Sequence, residues 1–265
     1  MSRSDYERSG RATGWWECGA VVRVGATVRK PVTEATSSVE AFLEHLFEVG
    51  FSGAPRTLGR DEKGRHVLEY VPGSTQEPFS YTSEELARVG QLIREFHAAS
   101  KSFVPPEGAQ WKVAIKPDAE ELICHCDLAP WNLVRNRDRW IFIDWDGSGP
   151  GSVLWDVAYA AQSFVPLIHG GEPAVDALRL RCFVDGYGLD RSQRGRLPEM
   201  MFVRTRAMFE LLERGARIGE QPWAGLHAAG HGLHWKQAAE YVERHLEVWR
   251  DALLVGYDDG GCGQA

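Results

Sequence analysis

The sequence predicts an α+β fold of two unequal lobes, a small β-rich lobe over residues 1–72 and a larger, mainly helical lobe over 73–256, followed by a disordered tail at 257–265. Three observations lead to this. Short apolar strand patterns broken by Gly-containing turns fill the first part, and apolar stripes at helical spacing fill the second. Between them lies one dense polar constellation, His125-Cys126-Asp127-Leu128-Ala129-Pro130-Trp131-Asn132, with Ile143-Asp144-Trp145-Asp146 shortly after it.

In chain order, Gly19-Ala20-Val21-Val22-Arg23-Val24 and Ala26-Thr27-Val28-Arg29 read as two strands joined at Gly25. Val39, Phe42, Leu43 and Leu46 then recur at helical spacing between Ser38 and Val49. Arg56 to Gly59 and His66 to Val71 read as two further strands around the turn Asp61-Glu62-Lys63-Gly64, and Pro72-Gly73 ends the lobe. Thr82-Ser83-Glu84-Glu85 has the form of a capping box, opening a helix that carries Leu86, Val89, Leu92, Ile93 and Phe96 to about Ala99. Leu122-Ile123-Cys124 is a short strand that feeds the polar loop. Leu133-Val134 and Trp140-Ile141-Phe142-Ile143 form a hairpin around Asn136-Arg137-Asp138, which returns Asp144 to face Asn132. Helices are expected over 153–165, 174–187, 198–217 and 233–254, the last stopped at Gly256.

Composition narrows the class. The hydrophobic fraction of 43% and charged fraction of 25% are those of a globular enzyme. The first ten residues lack the apolar core of a secretory signal and no stretch has the length of a membrane span, so a cytoplasmic protein without membrane association is expected. Five cysteines with no Cys-x-x-Cys pair fit a reducing compartment. The whole net charge of −7 lies after residue 72, which argues against nucleic acid and favours a cationic small-molecule partner.

The constellation carries the chemistry. Metal-assisted phosphoryl transfer needs a carboxylate on the attacking hydroxyl and a few hard oxygens on Mg²⁺, because a compact octahedral ion takes only one or two protein ligands beside phosphate and water. The catalytic loop of protein kinases supplies these with an Asp followed five residues later by Asn, and a second Asp further on. Asp127, Asn132 and Asp144 keep that arrangement. Asp127 needs no raised pKa for the task, since a carboxylate near its reference value of about 4 is ionised at neutral pH. His125 shapes the loop.

These motifs resemble the aminoglycoside phosphotransferase family, a branch of the protein-kinase-like fold that includes choline, homoserine and antibiotic kinases. The family pattern of a His-Gly-Asp loop ending in Asn, an Ile-Asp-Trp segment and a later Asp-Leu-Ala matches His125-Cys126-Asp127, Asn132, Ile143-Asp144-Trp145 and Asp156-Val157-Ala158. The resemblance implies a bilobal kinase-like fold with Asp127 as catalytic base, Asn132 and Asp144 holding Mg²⁺, and Asp156 bracing the loop. It implies ATP or GTP as donor, and a hinge whose backbone at Glu69 and Val71 meets the adenine edge. The family's strand lysine falls at Arg29 or Lys30; alternation puts Val28 inward and makes Arg29 the better match, with Glu40 as its helix partner. Only Gly14 to Gly19 stands where a phosphate-covering loop belongs.

The function so implied is ATP-dependent phosphorylation of a hydroxyl on a small cationic molecule such as an aminoglycoside, and hence antibiotic resistance. Glu210, Glu213 and Glu220 are candidates for an anionic acceptor cleft. Homoserine and choline are alternative acceptors. A degenerate kinase that binds nucleotide without transferring phosphate is the alternative of a different class.

Overall fold

A computed structural model describes residues 21–75, 80–136 and 139–256; the Gly14–Gly19 segment and the tail from residue 257 lie outside the described residues. The N-terminal part is an antiparallel four-stranded sheet in the order β1-β2-β4-β3, with β1 Val22–Val24, β2 Thr27–Lys30, β3 Thr57–Arg60 and β4 His66–Glu69. Val28 stands opposite Leu68 and Arg29 opposite Val67. Helix α1, Thr36–Glu48, lies between the hairpins and buries Val39, Phe42, Leu43 and Leu46, the four residues its apolar spacing selects.

Helix α2, Ser83–Ser100, begins at the expected capping box: the Thr82 hydroxyl accepts the Glu85 N–H at 3.2 Å, and the Glu85 carboxylate accepts the Thr82 N–H at 2.9 Å. Its stripe of Leu86, Val89, Ile93 and Phe96 is buried. Two small two-stranded antiparallel sheets follow and set the site, the second a hairpin enclosed in sequence by the first. In the first, β5 Leu122–Cys124 pairs with β8 Gly149–Gly151; in the second, β6 Leu133–Arg135 pairs with β7 Trp140–Phe142. Trp145 joins the two halves of the core, its ring edge-on to Phe96 at 5.0 Å and to Phe42 at 5.9 Å, with its Nε1–H donated to Phe142 O at 2.7 Å.

The remaining chain is helical: α3 Val153–Phe164, α4 Pro173–Tyr187, α5 Arg191–Ile218, a single turn α6 Trp223–Leu226, α7 Gly232–Arg244 and α8 Leu246–Leu254. Two boundaries depart from expectation for local reasons. The long helix begins at Arg191 rather than 198, because Asp190 and Gln193 form a second capping box and the helix runs on through Pro198. The expected helix over 233–254 is interrupted at His245, whose φ of −116° and ψ of 23° are not helical.

Helices α2 and α4 cross at glycine contacts. A Cβ on Gly186 would stand 2.1 Å from the Ala87 carbonyl oxygen, and one on Gly90 2.2 Å from the Phe183 carbonyl oxygen. Neither neighbour is a flexible side chain, so the helices would have to separate. Gly186→Ala is therefore expected to cost about 3 kcal/mol of unfolding free energy through overpacking. Gly195→Ala, on an open stretch of α5 where an added Cβ meets nothing, should instead stabilise by about 0.5 kcal/mol. Urea denaturation of both variants tests the pair; equal effects would refute the close-approach account.

Candidate active site

The polar loop between β5 and β6 is built around one buried carboxylate. Asp156, on the first turn of α3 and 0% exposed, accepts the backbone N–H groups of His125 and Cys126, each at 3.0 Å, and meets His97 Nε2 at 3.2 Å. Burial alone would raise its pKa; the His97 hydrogen bond and charge, with His125, outweigh that and hold it below the ordinary value. His97 is fixed in turn by Tyr187, Nδ1 to hydroxyl 2.8 Å.

These bonds stabilise a strained turn. Cys126 has φ of 66°, in the left-handed region that a residue with a Cβ avoids, and it stands where the family pattern has Gly. His125 closes the other side. Its Nδ1 accepts the Asp127 N–H at 3.3 Å, which leaves Nε2 as the donor to Ile143 O at 3.0 Å. The ring packs against Trp145 with centroids 4.5 Å apart, and burial lowers its pKa, so the imidazole is neutral and positions the loop.

Asp127 and Asn132 face each other across this turn. The Asn132 side-chain amide donates to Asp127 Oδ2 at 2.8 Å and to Asp127 O at 3.0 Å. Its two N–H groups thus serve Asp127, and its Oδ1 is turned to the other side as a hard oxygen. The Ile143 N–H donates to Asn132 O at 2.8 Å, and this bond, with the β6–β7 hairpin, brings Asp144 alongside. Asp144 is the second strained residue, with φ of 65° and ψ of 57°.

The structure differs from expectation at the strand cation. Lys30, not Arg29, enters the site: its Nζ lies 2.7 Å from Asp144 Oδ1 and 2.5 Å from Asp146 Oδ2. Alternation is the reason. Residues 28 and 30 share a face of β2, and that face continues into the cleft, while Arg29 turns away to Asp61 at 3.4 Å. Burial pulls the Lys30 pKa down, but Asp144 and Asp146 overcome it and hold it above the ordinary lysine value. Glu40 is not the partner of either cation; it pairs with Arg60 at 3.1 Å on the outer side of α1.

At the hinge, the Glu69 N–H is taken by Arg56 O at 2.9 Å and its carboxylate pairs with Arg139 at 3.2 Å. Val71 forms a small apolar cluster with Val134 and Ile141, against which Ile143 packs. Asp127 also departs from the expectation of an ordinary carboxylate. Burial first, and the neighbouring Asp144 charge second, push its pKa up to about 8, against hydrogen bonds from Tyr159 and Asn132 and the charge of Arg204.

The donor set fits a divalent cation. The Asn132 amide oxygen and the Asp144 carboxylate are hard oxygens on adjacent elements, and the Lys30 ammonium already sits as a positive charge between Asp144 and Asp146. Beyond Asp127 opens a narrow cleft of about 40 Å³ whose walls include Val113, Ile115, Met208, Leu211 and Trp223, with Arg204 as a cation in its lining. Glu210, Glu213 and Glu220 do not line it: Glu210 pairs with Arg206 at 2.9 Å, Glu220 meets Arg214 at 3.8 Å, and Glu213 is exposed. Asp146, Tyr159 and Arg204 were not marked by sequence reasoning. Asp146 lay inside the quoted motif, but Arg204 is 78 residues from its loop partner and carries no local signature.

Residues 108–192 match the phosphotransferase enzyme family (APH). The Trifolitoxin immunity protein of Rhizobium leguminosarum bv. trifolii is 27% identical over 248 residues, covering 88% of this chain and 94% of that protein. Among solved structures, the amicoumacin kinase hAmiN, in complex with AMP-PNP, Ca²⁺ and Ami, aligns with a TM-score of 0.61 at 12% identity, over 85% of this chain and 88% of that one. A microcompartment-associated aminopropanol kinase aligns with a TM-score of 0.59 at 13% identity, over 95% of this chain and 100% of that one. The fold is that of the protein-kinase-like phosphotransferases. The resemblance to the phosphotransferase enzyme family is thus carried by residues 108–192, which include Asp127, Asn132, Asp144 and Asp156.

Asp156 supplies the test of the loop's construction. Asp156→Asn replaces an acceptor of two backbone N–H groups by an amide that can accept with only one oxygen, and should cost about 3 kcal/mol. Because the folded pKa lies below the unfolded one, the carboxylate's contribution is complete above about pH 4 and disappears as pH falls through the folded value. Thermal melts against pH should show an acid limb in the parent that is missing in Asp156→Asn. An identical limb in both would remove Asp156 from this role.

Proposed function

We propose that the protein is an ATP-dependent kinase that phosphorylates a hydroxyl of a small molecule, with Asp127 as catalytic base. The observation that carries this is that the Asp127–Asn132 pair and the Lys30–Asp144 pair are brought together by the Ile143 N–H to Asn132 O bond, with Asp127 also lining the adjoining cleft. In the transfer the acceptor oxygen forms a bond to the γ-phosphorus and the bond from that phosphorus to the β–γ bridging oxygen breaks. ADP leaves with the electron pair, and the hydroxyl proton passes to Asp127.

Asn132 Oδ1 and Asp144 are the residues that would hold Mg²⁺, which when bound neutralises charge on the phosphate oxygens. Lys30 is suited to the α- and β-phosphates, since both of its present partners are carboxylates in the same place. The apolar cluster of Val71, Val134 and Ile141, with Ile143, suits one face of an adenine beside the Glu69–Val71 hinge. GTP is the alternative donor, and a cytoplasmic location would supply either.

A pure nucleotide binder has no use for a buried carboxylate facing an acceptor cleft, which favours transfer over the degenerate reading. The Trifolitoxin immunity relative and the amicoumacin kinase neighbour favour an antimicrobial acceptor that phosphorylation inactivates, over homoserine or choline. Glu210 and Glu220 are paired with arginines and Glu213 faces solvent, so a cationic acceptor such as an aminoglycoside is favoured only by the net charge of −7 and not by these three glutamates.

Asp127→Ala should lower Mg²⁺-dependent transfer from ATP by about 10²- to 10⁴-fold while leaving the protein folded. Turnover that survives the substitution would remove Asp127 as the base. The raised Asp127 pKa adds a second outcome. The base must be deprotonated, so kcat/KM should climb with pH towards about 8 and level off above it. A limb near pH 4 instead would mean that Asp127 ionises as an exposed carboxylate does.

A further inference from the structure

We propose that Arg204 is an anion-recognition residue of the acceptor cleft, and that the acceptor is a largely apolar hydroxylated molecule bearing a carboxylate close to its reacting hydroxyl. The proposal rests on the phosphotransferase reading only for the word acceptor; the anion site itself stands on the geometry.

Arg204 projects from the middle of α5 beneath the catalytic loop and is only 4% exposed. One of its terminal nitrogens, Nη2, donates to Cys126 O at 3.1 Å, which fixes the guanidinium beside Asp127. Its other two nitrogens, Nε and Nη1, are buried without a hydrogen-bond partner. None of the ion pairs among the described residues involves Arg204. Its charge is faced by the rings of Tyr159, 4.3 Å from the guanidinium carbon, and Trp155, at 5.2 Å.

A guanidinium cannot shed its proton to escape burial, so leaving two donors unsatisfied is destabilising unless something fills them. Nη2 shares one edge of the planar fork with Nε and the other with Nη1, so the Nη2 hydrogen not given to Cys126 completes, with one of the two unpartnered nitrogens, an edge that can take a carboxylate bidentately. Arg204 lines the same cleft as Asp127, while the other walls are apolar or aromatic: Val113, Ile115, Met208, Leu211 and Trp223. An anion held by Arg204 would set a neighbouring hydroxyl towards Asp127, with the apolar remainder of the molecule along α5. An ammonium group in the same place would meet a fixed positive charge and no available carboxylate other than the base.

The transferring phosphoryl group is the rival occupant of those donors, and binding without nucleotide separates the two. Nucleotide-free, full-length protein is titrated calorimetrically at neutral pH with N-acetyl-phenylserine and with phenylethanolamine. The two share a benzylic hydroxyl and a phenyl ring, but one carries a carboxylate and the other an ammonium. The parent should bind the carboxylate probe at least about tenfold more tightly, as expected of a charge-assisted bidentate pair. Arg204→Met should abolish the preference, and Arg204→Lys, which keeps the charge but not the fork, should retain its direction at reduced strength. The proposal is overturned if the parent binds neither probe, if it favours phenylethanolamine, or if the preference survives in Arg204→Met. Transfer from ATP to the carboxylate probe, read in the parent and in Asp127→Ala, tests the kinase reading independently. A preserved binding preference without Asp127-dependent transfer would sink that reading and leave the anion site standing.

Discussion

The carboxylate of Asp156, sealed in the interior and hydrogen-bonded to two consecutive backbone N–H groups and an imidazole, is the interaction on which the reactive geometry depends. A loop that sets Asp127 against a cleft and Asn132 against Asp127 has to reverse sharply, and the reversal puts Cys126 into a backbone region costing roughly 1–2 kcal/mol for a residue with a side chain. Asp156 offsets that strain where it arises. It also ties the loop to α3 directly and to α2 through His97, so the placement of Asp127 is inherited from helix packing and not from the loop's own chain.

Asp127 and Asp156 show how environment separates two buried carboxylates in one loop. Asp156 has three hydrogen-bond donors around it, and its pKa is held low despite complete burial. Asp127 has the Asn132 amide and Tyr159, but it also shares the site with Asp144, and its pKa is raised. The first therefore stays an anion and braces; the second lies in the range where a group can take up a proton and give it back. Lys30 lies between Asp144 and Asp146, pairing its ammonium with both carboxylates.

The meeting of Asp127, Asn132 and Asp144 was legible in the sequence because it is local. Asp127, Asn132 and Asp144 lie within a strand, a loop and a hairpin whose patterns are short-range, so offsets along the chain convert directly into neighbours in space. The capping box at Thr82 and the stripes of α1 and α2 were legible for the same reason. The strand cation was not, because alternation alone says that residues 28 and 30 share a face but not that this face opens on the cleft. Taking the buried side of Val28 as opposite to the site led to Arg29, whereas the apolar face of the sheet runs into it. Glu40 failed similarly: its helical position is right for an inward reach, but Arg60 on β3 is nearer.

The cleft beyond Asp127 is written at long range, where composition says little. Of the acids after residue 72, Glu210 pairs with Arg206 and Glu220, just beyond the end of α5, with Arg214. Net charge describes the field that a ligand crosses on approach, not the groups it meets in the cleft. Those groups come from the middle of α5 and from Trp223, brought against the loop only by tertiary packing. Solved kinases align with this chain over most of its length at 12–13% identity, so the architecture tolerates almost complete replacement of side chains. A buried arginine with unfilled donors is costly to keep under such freedom, since an apolar residue of similar size would pack without that penalty. Its position beside the base thus says more about the acceptor than the charge of the whole protein does.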